Sequence, residues 1–238
     1  VFTFNSSKRH NTSIAYKGLR SLGKYRNSLV SQGSLRITAS YATKNNAYSI
    51  RGHIVAQDLT NNENGWLTPT SITTFENNDP NFTDRGRLET NFSEAYNFLR
   101  GNRYYAEHDY KIWQRKDSLN NTKSYLKVGH ILNYELKSYD FYQSSASDIL
   151  GDAFTTAIED KLNYSTFKNQ AFIALKSPII LGEIKFIAEN LDYNYNYNSA
   201  TVIDEQVIPS NLSGNLISVG GEWNTNLKKF NINAEASS

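Results

Sequence analysis

The segment Leu29–Thr43, with the sequence LVSQGSLRITASYAT, places apolar or small residues at every second position and mostly polar residues between them. Leu35 and Ile37 lie on one parity, and Arg36 lies on the other. Successive side chains of a β-strand point to opposite faces, so this alternation predicts a strand with one apolar and one polar face. The pattern resumes at Tyr48 after a polar turn, which predicts a hairpin whose strands present matching faces.

The same sorting recurs in later segments, around residues 103–112, 126–137, 168–176, 182–189, 217–223 and 230–236. The apolar parity of these segments contains no Asp, Glu, Lys or Arg, although 20% of the chain is charged. A sheet sorted so strictly presents one face to an apolar medium and the other face to water.

Connections between the predicted strands alternate in length. Short turns are predicted near Arg9, Asn45, Leu119, Pro178 and Thr225, and long polar segments over residues 20–27, 60–102, 138–163 and 194–212. This alternation is typical of outer-membrane barrels, whose short turns lie in the periplasm and whose long loops lie outside the cell. We therefore predict an all-β fold, an antiparallel transmembrane β-barrel with short periplasmic turns and long extracellular loops.

A soluble β-sandwich is the alternative, because its strands also alternate when one face is buried. The strand length of about ten residues favours the membrane, since a strand of that length crosses a bilayer at a tilt. Aromatic residues near the short turns would form the interfacial girdle of a barrel: Tyr41, Tyr48, Trp113, Tyr125 and Trp223. Trp113 and Tyr125 fall on the polar parity, which predicts either a β-bulge beside them or a position inside the barrel.

The composition limits the other classes of function. The chain has 238 residues, a net charge of +2 and no cysteine, and it contains no linker rich in Pro, Gly or Ser. We expect a single domain over residues 1–238, without thiolate metal sites, and the weak net charge argues against nucleic acid as a partner. A membrane helix is excluded, because no run of about 20 apolar residues occurs. The chain also lacks the phosphate-binding, dinucleotide and metal-binding motifs, so we expect no cofactor and no metal.

His108 and His130 are the strongest candidates for chemistry on the apolar parity. They lie eleven residues on either side of the turn predicted at Leu119, so they would be cross-strand partners about 5 Å apart. A hydrolase would also need a Ser nucleophile and an orienting polar group, and only Ser124 and Asn133 lie near. We assign no catalytic residue and interpret the two histidines as a contact with another protein. An outer-membrane barrel hydrolase remains an alternative.

The polar parity carries the long charged side chains. If this face lines water, its charges set which small solutes pass fastest. If it is packed shut, the same charges form internal ion pairs that plug the barrel. The residues predicted to line a lumen are Arg36, Arg51, His53, Arg103, Glu107, Asp109, Lys111, Lys127, Glu135, Lys185 and Glu189.

Two of the long segments predict short helices. Ser93 is placed to cap a helix over residues 94–99, with Gly101 just beyond its end, and residues 152–162 form a second candidate. Each helix would lie either in a surface loop or inside a lumen as a constriction.

Several short motifs of the chain are family signatures: RGHI at 51–54, ENGW at 63–66, GNRYY at 101–105 and GHILNY at 129–134. Through them the chain resembles the putative porin family of the Bacteroidetes outer membrane. The resemblance implies a barrel in the bacterial outer membrane that contacts the lipid bilayer and lipopolysaccharide. It also implies passive diffusion of small solutes, with selectivity set by lumen charge.

Members of that family are longer than this chain, so we expect residues 1–238 to be an internal segment of a longer barrel. A structural barrel subunit that contacts other envelope proteins is the alternative function.

Overall fold

The computed structural model of the protein describes residues 1–119, 121–147, 149, 157–197, 201–203, 206–227 and 230–237. Its strands are β1 (Phe2–Ser7), β2 (His10–Ser21), β3 (Val30–Ala42), β4 (Tyr48–Glu63), β5 (Ala95–Lys116), β6 (Thr122–Gln143), β7 (Ile158–Ser177), β8 (Gly182–Tyr197), β9 (Thr201–Ile203), β10 (Gln206–Ile208), β11 (Asn211–Leu227) and β12 (Phe230–Ser237). The helix α1 (Pro69–Glu76) and two 3₁₀ turns, Pro80–Phe82 and Arg85–Arg87, lie between β4 and β5. Within the described ranges, no helix is both long and apolar enough to cross a membrane.

The strands form one ten-stranded antiparallel sheet in the order β1-β2-β3-β4-β5-β6-β7-β8-β11-β12, and β9 pairs separately with β10. The predicted first hairpin is present, with Tyr41 opposite Ile50 across β3 and β4. The sheet is not closed, because β1 and β12 are its two edges. The prediction of an all-β, antiparallel, porin-like fold is confirmed.

The apolar face of this sheet is exposed. Ile54 of β4 is 46% exposed, and Phe186 of β8 and Ile217 of β11 are more exposed still. In the part of the chain that the structure describes, no second sheet packs on this face. The β-sandwich alternative is therefore wrong, since a sandwich buries these side chains between its two sheets.

The uncharged band on the apolar face has a definite width. On β4, the positions of this face carry no charge from Tyr48 until Asp58. On β5, they carry none from Tyr110 until Arg100, which lies directly opposite Asp58. Each band is about ten residues long, which is the length of a strand that crosses a bilayer.

The long loops pack on one another at one end of the sheet. Leu88, Phe92 and Ala95, at the end of the β4–β5 loop, are buried and form a small apolar core. The β2–β3 loop joins them through Asn27, whose side-chain amide donates to the backbone oxygens of Glu63 (2.6 Å) and Ala95 (2.9 Å). The two loops therefore support each other at the ends of the strands.

The helix predicted over residues 94–99 is wrong, because the chain from Ala95 onward belongs to β5. Cross-strand pairing decides the conformation here, since Leu99 lies opposite Leu59 of β4 and Tyr139 of β6. The helix of this loop is α1 instead. Thr68 caps it by accepting a hydrogen bond from the backbone N–H of Ser71 at 3.3 Å.

Two other boundaries also differ from the predictions. The helix predicted over 152–162 is wrong where the structure describes it, because β7 begins at Ile158; residues 152–156 lie outside the described ranges. The last short turn was predicted near Thr225, which belongs to β11; Leu227 pairs with Phe230 of β12, and residues 228–229 lie outside the described ranges. Strands β5 to β8 also extend into the segments predicted as loops, so they are longer than a bilayer crossing requires.

Trp113 and Tyr125 differ in where their side chains lie. The register shifts between Lys111 and Trp113, which marks a β-bulge, and Trp113 then lies opposite Leu126 on the apolar face. Tyr125 stays on the polar face, where its hydroxyl donates to the carboxylate of Glu183. The aromatic girdle on the apolar face therefore includes Trp113 and excludes Tyr125.

Candidate functional site: the charged face of the sheet

The polar face gathers the charged side chains of nine strands, β2 to β8, β11 and β12. Residues directly opposite each other in an antiparallel sheet share a face. One row crosses β3 to β6 through Arg36, Val55, Arg103 and Glu135. A second row crosses β6 to β11 through Lys127, Ala174, Lys185 and Glu222. All residues predicted to line a lumen lie on this face; that they line one stays a prediction.

The polar face is the concave face of the sheet. Glu135, Thr166, Phe172 and Ala174 point to this side and are buried. Large side chains on the apolar face of the same strands, such as Ile173, stay exposed. A sheet that crowds the side chains of one face and spreads those of the other curves toward the crowded face.

Arg51 of β4 and Glu107 of β5 form a well-defined ion pair on this face. The Nε and Nη2 atoms of Arg51 donate to one carboxylate oxygen, Oε2, at 2.8 and 2.6 Å. The hydroxyl of Tyr105 donates to the same oxygen at 2.7 Å. Tyr105 also stacks on His53, with ring centroids 4.9 Å apart. The Arg51 side chain nevertheless remains 68% exposed, so its guanidinium still contacts solvent.

Glu135 is a buried carboxylate that two cations share. Its Oε1 accepts from Arg103 of β5, and its Oε2 lies 3.1 Å from the Nζ of Lys137 on the same strand. A buried carboxylate needs such partners to offset its lost hydration. One anion faces two cations here, and the Arg103 side chain is 51% exposed. This part of the face therefore carries a positive charge in contact with water.

Cations on the later strands are more enclosed. Lys127 of β6 reaches Glu183 of β8 at 3.8 Å, across the small side chain of Ala174 on β7. Lys185 pairs with Glu222 of β11 at 3.4 Å, and its side chain is only 17% exposed. The first pair spans β7 and the second joins neighbouring strands, and both leave little free charge at the surface.

The remaining predicted residues make local contacts on the same face. Asp109 accepts a hydrogen bond from the hydroxyl of Ser49 at 2.6 Å. Lys111 donates to the backbone oxygen of Asn46 at 2.9 Å, in the β3–β4 turn. Glu189 pairs with Lys168 at 2.8 Å.

His108 and His130 lie on the apolar face, as predicted, and are direct cross-strand partners with ring centroids 5.6 Å apart. The Nε2 atom of His130 lies 3.3 Å from the side-chain oxygen of Asn169. In the described residues, neither ring contacts a serine hydroxyl or a carboxylate, and Ser124 lies opposite Arg115 near the turn. The pair therefore lacks the contact between nucleophile and base that hydrolysis requires.

Comparison with known proteins adds a family to this geometry. A family model described as a putative porin matches residues 1–238, the whole length of the chain. The chain belongs to the putative porin family. No curated protein and no solved structure matches it. Membership of the porin family implies a general porin-like role at the bacterial outer membrane, and the exposed apolar band is consistent with that location.

Sequence reasoning allowed Tyr125 a place on the polar face of this porin but missed Phe172 and the contacts that both rings make with lysines. The Nζ atom of Lys185 lies 4.8 Å from the centre of the Phe172 ring. The Nζ atom of Lys127 lies 5.3 Å from the centre of the Tyr125 ring. Such cation–π contacts stabilise a cation that water hydrates incompletely. Strand parity was the available signal, because Phe172 shares the parity of Lys168 and Lys176, and Tyr125 that of Lys123 and Lys127.

Proposed function

We propose that this chain forms part of the wall of a passive diffusion channel in the bacterial outer membrane, and that charges on its concave face select among small solutes. One observation carries the proposal. A single-layered sheet exposes an uncharged face about ten residues wide and gathers its charges on the opposite, concave face. Hydrocarbon against the first face and water against the second satisfies both surfaces. Residues 1–238 would then be one segment of a longer, closed barrel.

The outer rim of the apolar face fits an envelope surface. Beyond the uncharged band, on the side of the long loops, charged residues of both signs return to this face and alternate from strand to strand: Arg20, Asp58, Arg100, Asp140, Lys161 and Asp192. The cations of this mixed rim would meet the phosphate groups of lipopolysaccharide, while the band below the rim would meet the acyl chains. The long loops would then lie outside the cell.

An open lumen is favoured over a plugged one by the way the ion pairs lie. Four of the eight ion pairs in the described residues run along the wall between neighbouring strands, as Arg51–Glu107 and Lys168–Glu189 do. Arg51 and Arg103 remain more than half exposed while they are paired. Charges that hold the wall together and still contact water suit a pore whose field acts on passing solutes.

Conductance of the full-length protein in a planar lipid bilayer tests this function. We expect discrete, reproducible current steps in potassium chloride, and swelling of proteoliposomes in isotonic solutions of small sugars. Protein that was denatured by heat before its addition is the control. Silence in both assays with correctly folded protein would refute the channel.

A structural role is the second candidate, because the His108–His130 pair and Asn169 put polar groups on the apolar face. Imidazole and amide groups are costly to leave unsatisfied in hydrocarbon, so an envelope protein covering this spot would stabilise them. The test compares His130→Leu with Val128→Leu, a change on the same face of β6. A partner that is lost only from His130→Leu supports the scaffold, and unchanged co-purification from both variants contradicts it.

A further inference from the structure

Three arginines lie near one another on the concave face, where β3, β4 and β5 run side by side. Arg36 and Arg103 lie on either side of Val55 in the same cross-strand row, with backbones roughly 10 Å apart. The His53 ring lies on this face in the neighbouring row, two residues before Val55 on β4. Arg51 lies two residues before His53 on the same face of β4. We call Arg36, Arg51, His53 and Arg103 the arginine cluster.

The acids near the arginine cluster do not neutralise it. Arg36 makes no ion pair among the residues that the structure describes, and it is exposed. Glu107 pairs with Arg51, but Glu135 is shared between Arg103 and Lys137. Asp109 lies beside Glu107 on the same face. With Lys137 included, four cations therefore face three carboxylates.

The neighbouring strands add to this imbalance. On the concave face of β2 and β3, the charged residues are Lys17 and Arg36, with no carboxylate beside them. The contrast with β8 and β11 is clear, because Glu183, Glu189 and Glu222 lie there. The excess of cations thus belongs to one sector of the face.

There is room for a ligand beside these cations. A cleft of about 420 Å³ opens along β3–β5, next to the row of Arg36, Val55 and Arg103. Of the arginine cluster, Arg51 and His53 line this cleft, together with the hydroxyl residues Thr38 and Ser40. The side chain that Gly101 lacks leaves further space next to Arg103, since a Cβ there would meet nothing closer than the Lys137 side chain at 3.9 Å. Hydroxyl groups and guanidiniums both donate hydrogen bonds, and an oxyanion is the ligand that accepts from all of them.

We propose that the arginine cluster binds small oxyanions, such as phosphate or carboxylates, with Arg36 and Arg103 as the anchoring side chains. The guanidinium fork matches the geometry of these anions, and both side chains are long enough to converge on one ligand above Val55. As a deepening of the proposed channel, the site would make anionic solutes the favoured class. The role of the site in transport rests on the proposed channel function, but anion binding itself does not require conduction.

Binding of inorganic phosphate to the full-length protein in neutral detergent tests the site directly, by broadening of the phosphorus NMR line at fixed ionic strength. Arg36→Gln should weaken binding about tenfold, since it removes one unpaired cation close to a divalent anion. Arg36→Lys should restore most of the affinity. Lys168→Gln is the matched control, because it removes an equal charge from the same face beside Glu189.

Each outcome of this experiment decides for or against the site. Loss of phosphate binding in Arg36→Gln, with near-normal binding in Lys168→Gln, supports it. Equal weakening in both variants would show a diffuse charge effect and overturn the proposal, as would the absence of binding to the unmodified protein.

Reversal potentials in a potassium chloride gradient separate the site from the channel. Conductance that prefers chloride, with a preference reduced in Arg36→Gln, supports both. Phosphate binding without conductance leaves the site standing and refutes the channel. Conductance without phosphate binding or anion preference leaves the channel standing and refutes the site.

Discussion

Replacement of Ile54 by arginine tests which face of the sheet meets hydrocarbon. Ile54 lies near the middle of the uncharged band on β4, and its side chain is 46% exposed. An arginine at the bilayer midplane costs about 2–4 kcal/mol. The exposed part of isoleucine loses about 1 kcal/mol of favourable contact with lipid. We therefore expect the free energy of unfolding to fall by about 3–5 kcal/mol, a sum of the two effects.

Gln57→Arg is the matched control, because Gln57 lies three residues further along β4 on the concave face, opposite Gly101. The new side chain would extend into water, so the free energy of unfolding should change by less than about 1 kcal/mol. Both variants are measured by reversible urea unfolding in phospholipid vesicles. Equal losses in the two variants, or a larger loss in Gln57→Arg, would refute the assignment of the faces.

The other predictions concern single contacts. Gly129→Val should destabilise the protein by about 1–3 kcal/mol, because a Cβ there would lie 2.2 Å from the Phe172 ring. Gly101→Ala, in open space, is the control. Equal urea midpoints for the two variants would contradict the packing of Gly129 against Phe172. In a variant that keeps only Trp113, brominated lipids should quench the fluorescence more than aqueous acrylamide does, since the bulge turns this side chain outward; the reverse order would place it in the lumen. Hydrogen bonds from the backbone of its turn hold the pKa of Asp117 below its ordinary 3.8. Asp117→Asn should therefore lower the urea midpoint above about pH 4, and the difference between the two proteins should vanish as the pH falls through that depressed pKa. A loss of stability that persists in acid would contradict this prediction.

The faces of the strands were predictable because alternation is written into the sequence itself. Arg36 between Leu35 and Ile37 already assigns both faces of β3, and pairing only extends the assignment to β4. The parity violations at Trp113 and Tyr125 left two alternatives open, a bulge or a position on the polar face. The structure has the bulge beside Trp113 and keeps Tyr125 on the polar face.

The conformation of residues 94–99 could not be predicted in the same way. Local capping signals at Ser93 favoured a helix, but pairing of Leu99 with two neighbouring strands outweighs them. The helix α1 did carry a readable signal, since Thr68 followed by Pro69 is a typical helix start.

The ion-pair partners within the charged face could not be predicted from the sequence either. Lys127 contacts Glu183 across an intervening strand only because Ala174 is small, and this requires three strands in register. That Arg36 has no acidic partner among the described residues likewise emerges only when the neighbouring strands are placed beside it.

Contact of the apolar face with lipid is the claim on which the account rests, and site-directed spin labelling tests it most directly. The chain contains no cysteine, so single cysteines introduced at residues 50–57 of β4 label without background from this chain. In vesicles, we predict that accessibility to oxygen peaks at the even-numbered positions and accessibility to a water-soluble nickel complex peaks at the odd-numbered ones. Accessibility that does not alternate, or a nickel maximum on the even-numbered positions, would contradict the account.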